Sequence, residues 1–298
     1  MKYNTRGYRV FTVFNYLIML VVIIVMVFPY LNVVAKALNE SKDTVLGGIT
    51  VYPRKPTLQN FKALFSDKQL LKSAVNTLIR VVIGTIFSLT VQFLAAYALS
   101  QRNLVGKNWF LLFFIIPMFF NGGLIPQYLL YSHLGLLNNF LVYLLPGAFS
   151  FFNAVIIRTY IHTIPGSLSE SAKLDGANHL QILTNITLPL CVPILATVTL
   201  WVAVGHWNDW TTTLYFVTKP DLYTLQYVLM QVIRETDRII KMIQYALQEG
   251  LDTDMNLPTT PEALRAAQIV VVTLPIILLY PFLQRYFIHG ITIGAVKE

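Results

Sequence analysis

Apolar and polar residues fall along this chain in long blocks, not in short alternation. Apolar runs occupy roughly residues 11–33, 76–99, 109–130, 139–160, 190–212 and 266–286, and the segments between them hold most of the charge. About 20 apolar residues in helical form cross the roughly 30 Å of bilayer hydrocarbon, so each run predicts a transmembrane helix. A helix is required because backbone N–H and C=O groups in lipid must be satisfied within the segment, and this pattern builds no closed barrel. The expected fold class is all-α, a polytopic membrane protein with six transmembrane helices.

One polar interval stands apart. Pro165 to Pro189 lies between two apolar runs and carries few charges, Glu170, Lys173 and Asp175 among them, with small residues at Ala172, Gly176 and Ala177. Pro165-Gly166 stops the preceding helix, and Ser167-x-x-Glu170 has the spacing of a capping box that starts a new one. Asp175-Gly176 ends that piece, since glycine takes the left-handed conformation a helix terminus often needs. Asn178 starts a second piece that runs to Leu188-Pro189. The product is a helix–turn–helix elbow with a smooth corner. It suits either a groove on another protein or an ordinary solvent-facing loop.

Composition supports residence in lipid. Of 298 residues 55% are hydrophobic and only 12% charged, where a soluble domain carries about 25% charged residues. The net charge of +8 speaks first of anionic headgroups and cytoplasmic loops, and less of nucleic acid. The single cysteine, Cys191, excludes an internal disulfide and a cysteine metal cluster. The first apolar run exceeds the ~7–15 residues of a signal-peptide core and no small-residue cleavage site follows, so it is an uncleaved span.

Basic residues near short loops set the orientation. Lys2, Arg6 and Arg9 precede the first span, Arg102 and Lys107 lie between the second and third, Arg158 and Lys173 lie at the elbow, and Arg285 and Lys297 follow the last span. Both termini and the elbow are therefore expected in the cytoplasm. Outside, Lys36 to Lys72 predicts a turn and a short interfacial helix. From Leu222 to Leu247, apolar residues recur on one helical face (Leu225, Val228, Leu229, Val232, Ile233), which suits either a helix on the membrane surface or a docking surface for an external protein. Thr260-Pro261 opens the last helix.

Ionisable residues are nearly missing from the span interiors. Arg80 and Asp209 fall near outer ends and Arg158 and Arg285 near inner ends, with only His206 deeper. Ion-coupled transporters place carboxylates or histidines at mid-membrane, so energy has to come from another subunit. Gly106-Lys107-Asn108 is not a P-loop, and no catalytic or metal-binding motif appears. Candidates for a solute path are uncharged or aromatic: Asn121 in the Asn121-Gly122-Gly123 break of the third span, Asn153, Trp201, and His206-Trp207-Asn208. Flat aromatic faces with amide groups suit neutral sugars. The competing reading is an interfacial aromatic belt with polar residues joining helices.

Glu170-Ser171-Ala172, Gly176 and Ile186-x-Leu188-Pro189 resemble the EAA signature of binding-protein-dependent ABC importer permeases, with serine for the middle alanine. The tail from Gln284 to Glu298 is similar to those of maltose-transporter-type carbohydrate permeases. Asn121–Pro126 and Gly205–Asn208 resemble a Gram-positive branch that imports complex oligosaccharides. The resemblance implies the type I importer permease fold. Residues 1–70 would form the first span and outer loop, and 71–298 the core, with a coupling segment at 165–189 and an outer segment at 215–262. It implies that Glu170, Ser171, Ala172, Asp175, Gly176, Ala177, Leu188 and Pro189 engage an ATPase, and that Gly290, Gly294 and Lys297 reach between two ATPases. The implied partners are a second permease, two ATPases that bind the ATP and magnesium, a sugar-binding lipoprotein and an oligosaccharide. The rival classes are a stand-alone secondary transporter or channel, and a polytopic membrane enzyme.

Overall fold

The computed structural model describes residues 6–45, 47–248 and 260–295. α1 (Arg6–Ala37) and two short helices, α2 (Ser41–Val45) and α3 (Gln59–Phe65), precede the long α4 (Lys68–Ser100). α5 (Lys107–Phe119), α6 (Leu124–His133), α7 (Phe151–Ile161), α8 (Gly166–Leu174) and α9 (His179–Ile182) follow. A π-helical turn at Leu183–Thr187 leads into α10 (Leu188–Leu190), then α11 (Val192–Asn208), α12 (Thr211–Phe216), α13 (Leu225–Gln248) and α14 (Pro261–Ala295). No strand occurs among the described residues.

The chain forms two compact units, each assembled from distant stretches. One comprises residues 1–70 and 229–275, the other 71–228 and 276–298. In the first, the side chains of α1 from Val13 to Phe28 are all exposed. An almost wholly apolar helix with no covered face belongs in lipid. Its end is tied down. Ala37 packs with Ala266 and Ala267 of α14, and Phe61 closes over them. Beyond it, Asn39 and Asn60 are fully buried. Asn60 Nδ2 donates to the carbonyls of Ala37 and Asn39, both at 2.9 Å, and Ser41 Oγ donates to Asn60 Oδ1 at 2.6 Å. Asn39 Nδ2 donates to Asp43 at 2.9 Å, and Arg54 Nε reaches the same carboxylate at 3.0 Å. These bonds lower the Asp43 pKa, the one from Asn39 most.

The second unit is built on α4, α7 and α11. Phe93, Ala96, Ala154, Ile157, Cys191 and Val198 form its core. α4 is inverted relative to a soluble helix. Ser73, Thr77, Arg80, Thr85, Ser88 and Gln92 are buried, while Val75, Leu78, Ile79, Val82, Ile83 and Ile86 are exposed. The spacing places the polar set on one face, away from lipid.

That polar face answers a departure from the expected spans. Residues 139–160 are not one helix: a single 3₁₀ turn, Phe140–Tyr143, is followed by irregular backbone until α7 begins at Phe151. Pro146-Gly147 accounts for the break, because proline disfavours helix in the residue before it and glycine weakens it further. The exposed carbonyls are taken up by α4, Ser88 Oγ donating to Gly147 at 3.3 Å and Gln92 Nε2 to Ala148 at 3.4 Å. Irregular backbone within an apolar stretch is tolerated when its polar groups find partners in this way. The third expected span breaks where the glycines predict, α5 and α6 meeting at 116°. The fifth starts later and ends earlier than expected: the segment His179–Leu190 meets α11 at 78°, and Asp209 ends α11. α1, α4 and α14 are each long and apolar enough to span, as each bent pair is jointly; α7, with 11 residues, is shorter.

Candidate functional site

The first helix of the elbow begins two residues earlier than its sequence predicts. α8 starts at Gly166 with Pro165 as its cap, and no side chain caps it. Ser167 is therefore inside the first turn and the expected Ser167–Glu170 capping box does not form, because extended Pro165 and unhindered Gly166 already turn the chain. The other end forms as expected. Gly176 has φ +83°, the Gly176 N–H donates to the Lys173 carbonyl at 3.1 Å, and the Ala177 N–H donates to that of Ala172 at 2.9 Å. This is the doubly bonded Schellman ending, which requires a left-handed residue at that position. Asn178 then caps α9 in a complete capping box: its Oδ1 accepts from the Gln181 N–H at 2.9 Å, and Gln181 Oε1 from the Asn178 N–H at 2.8 Å.

The corner so fixed presents a particular surface. Glu170, Ser171, Asp175 and Gly176 are exposed, and Ala172 and Ala177 half-buried. Leu174 and Leu180 flank the corner with 89% and 65% of their surface in the open. At the corner lies a hollow of about 290 Å³ lined by Asp175, Gly176, Ala177, Gln181, Ile182, Asn185 and Ile186. The two leucines were not singled out from sequence, since single apolar residues in a polar segment carry no pattern. Behind the corner, Tyr97 of α4 donates to the His179 carbonyl at 3.3 Å and ties the elbow to the core. The π-helical turn explains Pro189: proline has no N–H for the carbonyl four residues back and its ring crowds that carbonyl, which a widened turn relieves.

Other expected site residues separate into groups. Trp201 is 45% exposed, with its ring 6.3 Å from that of Phe152. Half-buried Asn153 is next in sequence to Phe152. Asn121 is a local cap, its Oδ1 accepting from the Gly123 N–H at 2.9 Å at the start of α6. His206 and Trp207 are buried. The His206 ring lies so close to Gly84 of α4 that a Cβ there would stand 2.7 Å from Nε2. Asn208 accepts from Gln226 at 3.2 Å. Gly290 and Gly294 lie in α14, and Lys297 lies outside the described residues.

Arg80 and Asp209, placed by sequence near span ends, are paired with each other. Arg80 is 3% exposed and ion-paired through Nη2 to Asp209. Its Nη1 donates to the Asp209 carbonyl at 3.2 Å, and its guanidinium lies 4.6 Å from the Tyr143 ring centre. Asp209 also accepts from the backbone and hydroxyls of Thr211 and Thr212. Tyr143 continues the network to Thr213, which meets Thr224, while Thr77 of α4 accepts the Leu225 N–H at 2.8 Å. Sequence separations of 129 and 70 residues hid these partners.

With this geometry in hand, comparison with known proteins is decisive. Residues 73–293 match the family of binding-protein-dependent transport system inner membrane components. The chain belongs to that family. The permease is 35% identical to Protein LplC of Bacillus subtilis, over 99% of this chain and 97% of that one. It is 32% identical to the polygalacturonan/rhamnogalacturonan transport system permease protein YtcP of the same organism, over 97% and 99%. Among solved structures it superposes on a chain of a bacterial ABC transporter involved in import of the acidic polysaccharide alginate, with TM-score 0.85, 28% identity and coverage of 96% and 100%. This permease is thus a multi-pass cell-membrane subunit of an ATP-driven importer, a transport component rather than an enzyme.

Proposed function

We propose that this permease forms half of a translocation path for an oligosaccharide and receives work from an ATPase at the 165–189 elbow. The observation that carries the proposal is the corner itself: a backbone fixed by Gly176 and the Asn178 capping box, with Leu174 and Leu180 turned outward beside a hollow. Exposed apolar side chains on a rigid convex corner suit insertion into a cleft. Glu170, Ser171, Ala172, Asp175, Ala177, Leu188 and Pro189 form or support that corner. The polygalacturonan/rhamnogalacturonan transport for which YtcP is named supports an oligosaccharide cargo. Trp201, Phe152 and Asn153 are the side chains we assign to the sugar path; His206, Trp207, Asn121 and Asn208 shape its walls.

The chain has six spans with both termini and the elbow in the cytoplasm, the fourth being α7 with its irregular approach. A second permease completes the path, two ATPases supply ATP hydrolysis, and a sugar-binding lipoprotein delivers from outside. The α14 end, with Gly290, Gly294 and Lys297, reaches toward the ATPases. Because Cys191 is buried, a single introduced thiol is a clean probe. Leu174→Cys should cross-link to the ATPase in membranes, and its reagent access should come only from the cytoplasm. Labelling by a membrane-impermeant reagent added outside intact cells would refute the orientation and the coupling role together.

A further inference from the structure

Four basic side chains from separate segments gather around the end of α4. Arg158 of α7 donates from Nε to the Leu99 carbonyl at 3.0 Å. Lys107, the first residue of α5, donates from Nζ to the Gln101 carbonyl at 3.3 Å. Exposed Arg102 follows directly on Gln101, and exposed His162 lies one helical turn beyond Arg158. Both contacts put positive charge on the carbonyl end of α4, where a helix dipole favours it. That accounts for Lys107 and Arg158 but not for Arg102, and His162 adds a neutral imidazole to the group. Among the described residues no carboxylate forms an ion pair with any of them. Their proximity is felt at His162, whose pKa is held below the usual histidine value by burial and then by Arg158, Lys107 and Arg102.

Charge bias on one side of a membrane explains basic loops, not their convergence from three segments on one helix end. Like charges held together without a counterion favour an external anion. The surface beside the cluster indicates where that anion comes from. Trp109, two residues after Lys107, is 77% exposed, and Phe110 and Phe113 are exposed with it. An open tryptophan at the start of an apolar helix sits at headgroup depth. A soluble anion has no use for this adjoining apolar face, whereas acyl chains do.

We propose that Arg102, Lys107, Arg158 and His162 bind the phosphate of an anionic phospholipid, on the membrane face from which the elbow projects, with its acyl chains along α5. None of the four residues is among those assigned to the coupling corner or to the sugar path. Basic pockets at membrane interfaces bind such headgroups, each cation contributing about fivefold in affinity.

The test uses the intact tagged transporter, purified into mixed micelles of phosphatidylglycerol and phosphatidylcholine, with retained lipid read by native mass spectrometry. The wild type should keep phosphatidylglycerol in preference to phosphatidylcholine. Arg102→Gln should lower that retention about fivefold with the melting temperature unchanged, and Arg102→Gln with Lys107→Gln about 25-fold, phosphatidylcholine retention staying the same in both. Arg158 is left intact because it holds α4. Lys173→Gln, a basic residue of the elbow outside the cluster, should change nothing. Equal retention of the two lipids, an unaffected double variant, or an equal loss with Lys173→Gln would overturn the proposal. Displacement of the lipid by millimolar inorganic phosphate would assign the cluster to a soluble anion and overturn it as well.

Discussion

Arg80→Met should be far more damaging than the loss of one ion pair at a protein surface. Arg80 and Asp209 expose 4% and 21% of their side chains, so removing the guanidinium strands a carboxylate that water reaches poorly. Two unit charges at about 4 Å in a medium of effective dielectric near 20 attract by about 4 kcal/mol. Breaking one partner of a buried pair typically costs about 3–5 kcal/mol. The four hydrogen bonds that Asp209 draws from Thr211 and Thr212 remain, so the lower end, about 3 kcal/mol, is expected. Asp209→Asn in the Arg80→Met background removes the stranded charge but keeps an acceptor for those threonines. The double variant should recover about 2 kcal/mol of coupling, within the range for residues that share a network. The assay is thermal or denaturant unfolding of the purified transporter for wild type, both singles and the double, alongside membrane abundance of each. An additive cycle, or Arg80→Met as stable as wild type, would refute the view that the pair is buried and mutually neutralising.

Gly176→Val should leave membrane insertion intact and abolish sugar uptake while uncoupling ATP hydrolysis, because a β-branched residue at φ +83° strains the corner; uptake at wild-type rate would contradict this. Gly84→Ala places a Cβ 2.7 Å from His206 Nε2 and should destabilise the transporter by about 1–3 kcal/mol, with His206→Ala added to it restoring part of the loss in the same unfolding assay. Trp201→Ala should weaken uptake of the sugar without changing basal ATP hydrolysis; unaltered uptake would remove it from the path. The Asp43 carboxylate, held below its usual pKa by Asn39 first and Arg54 next, should stabilise the hydrogen-bonded segment around Asn39 and Asn60 at every pH above the ordinary carboxylate range. That contribution is lost only as pH falls through the depressed folded value, so limited proteolysis of residues 38–60 should be flat from pH 8 to about 5. Cleavage rising already near pH 6 would count against it.

The parts of the molecule written locally were legible in the sequence. Asp175-Gly176 and Asn178 fix the corner through bonds that reach no further than five residues, and Asn121-Gly122-Gly123 breaks its span where glycine permits. Ser167 misled because its spacing fits a cap while Pro165-Gly166 had already turned the chain. What sequence left hidden depends on distant partners. Pro146-Gly147 inside an apolar run was overlooked, since the Ser88 and Gln92 side chains that make an irregular segment tolerable stand nearly sixty residues away. Arg80 and Asp209 each look like side chains seeking water until the other is known.

The division of the fold also bears on how the chain is made. Tyr30 of α1 meets Thr273 of α14 at 3.0 Å across 243 residues, so α1 acquires this neighbour only once α14 has been made. Until then its carboxyl end is held by nearby residues alone, through Asn60 and Phe61. A chain cut short before α14 would keep those bonds but leave Tyr30 and Ala37 without the partners that α14 supplies.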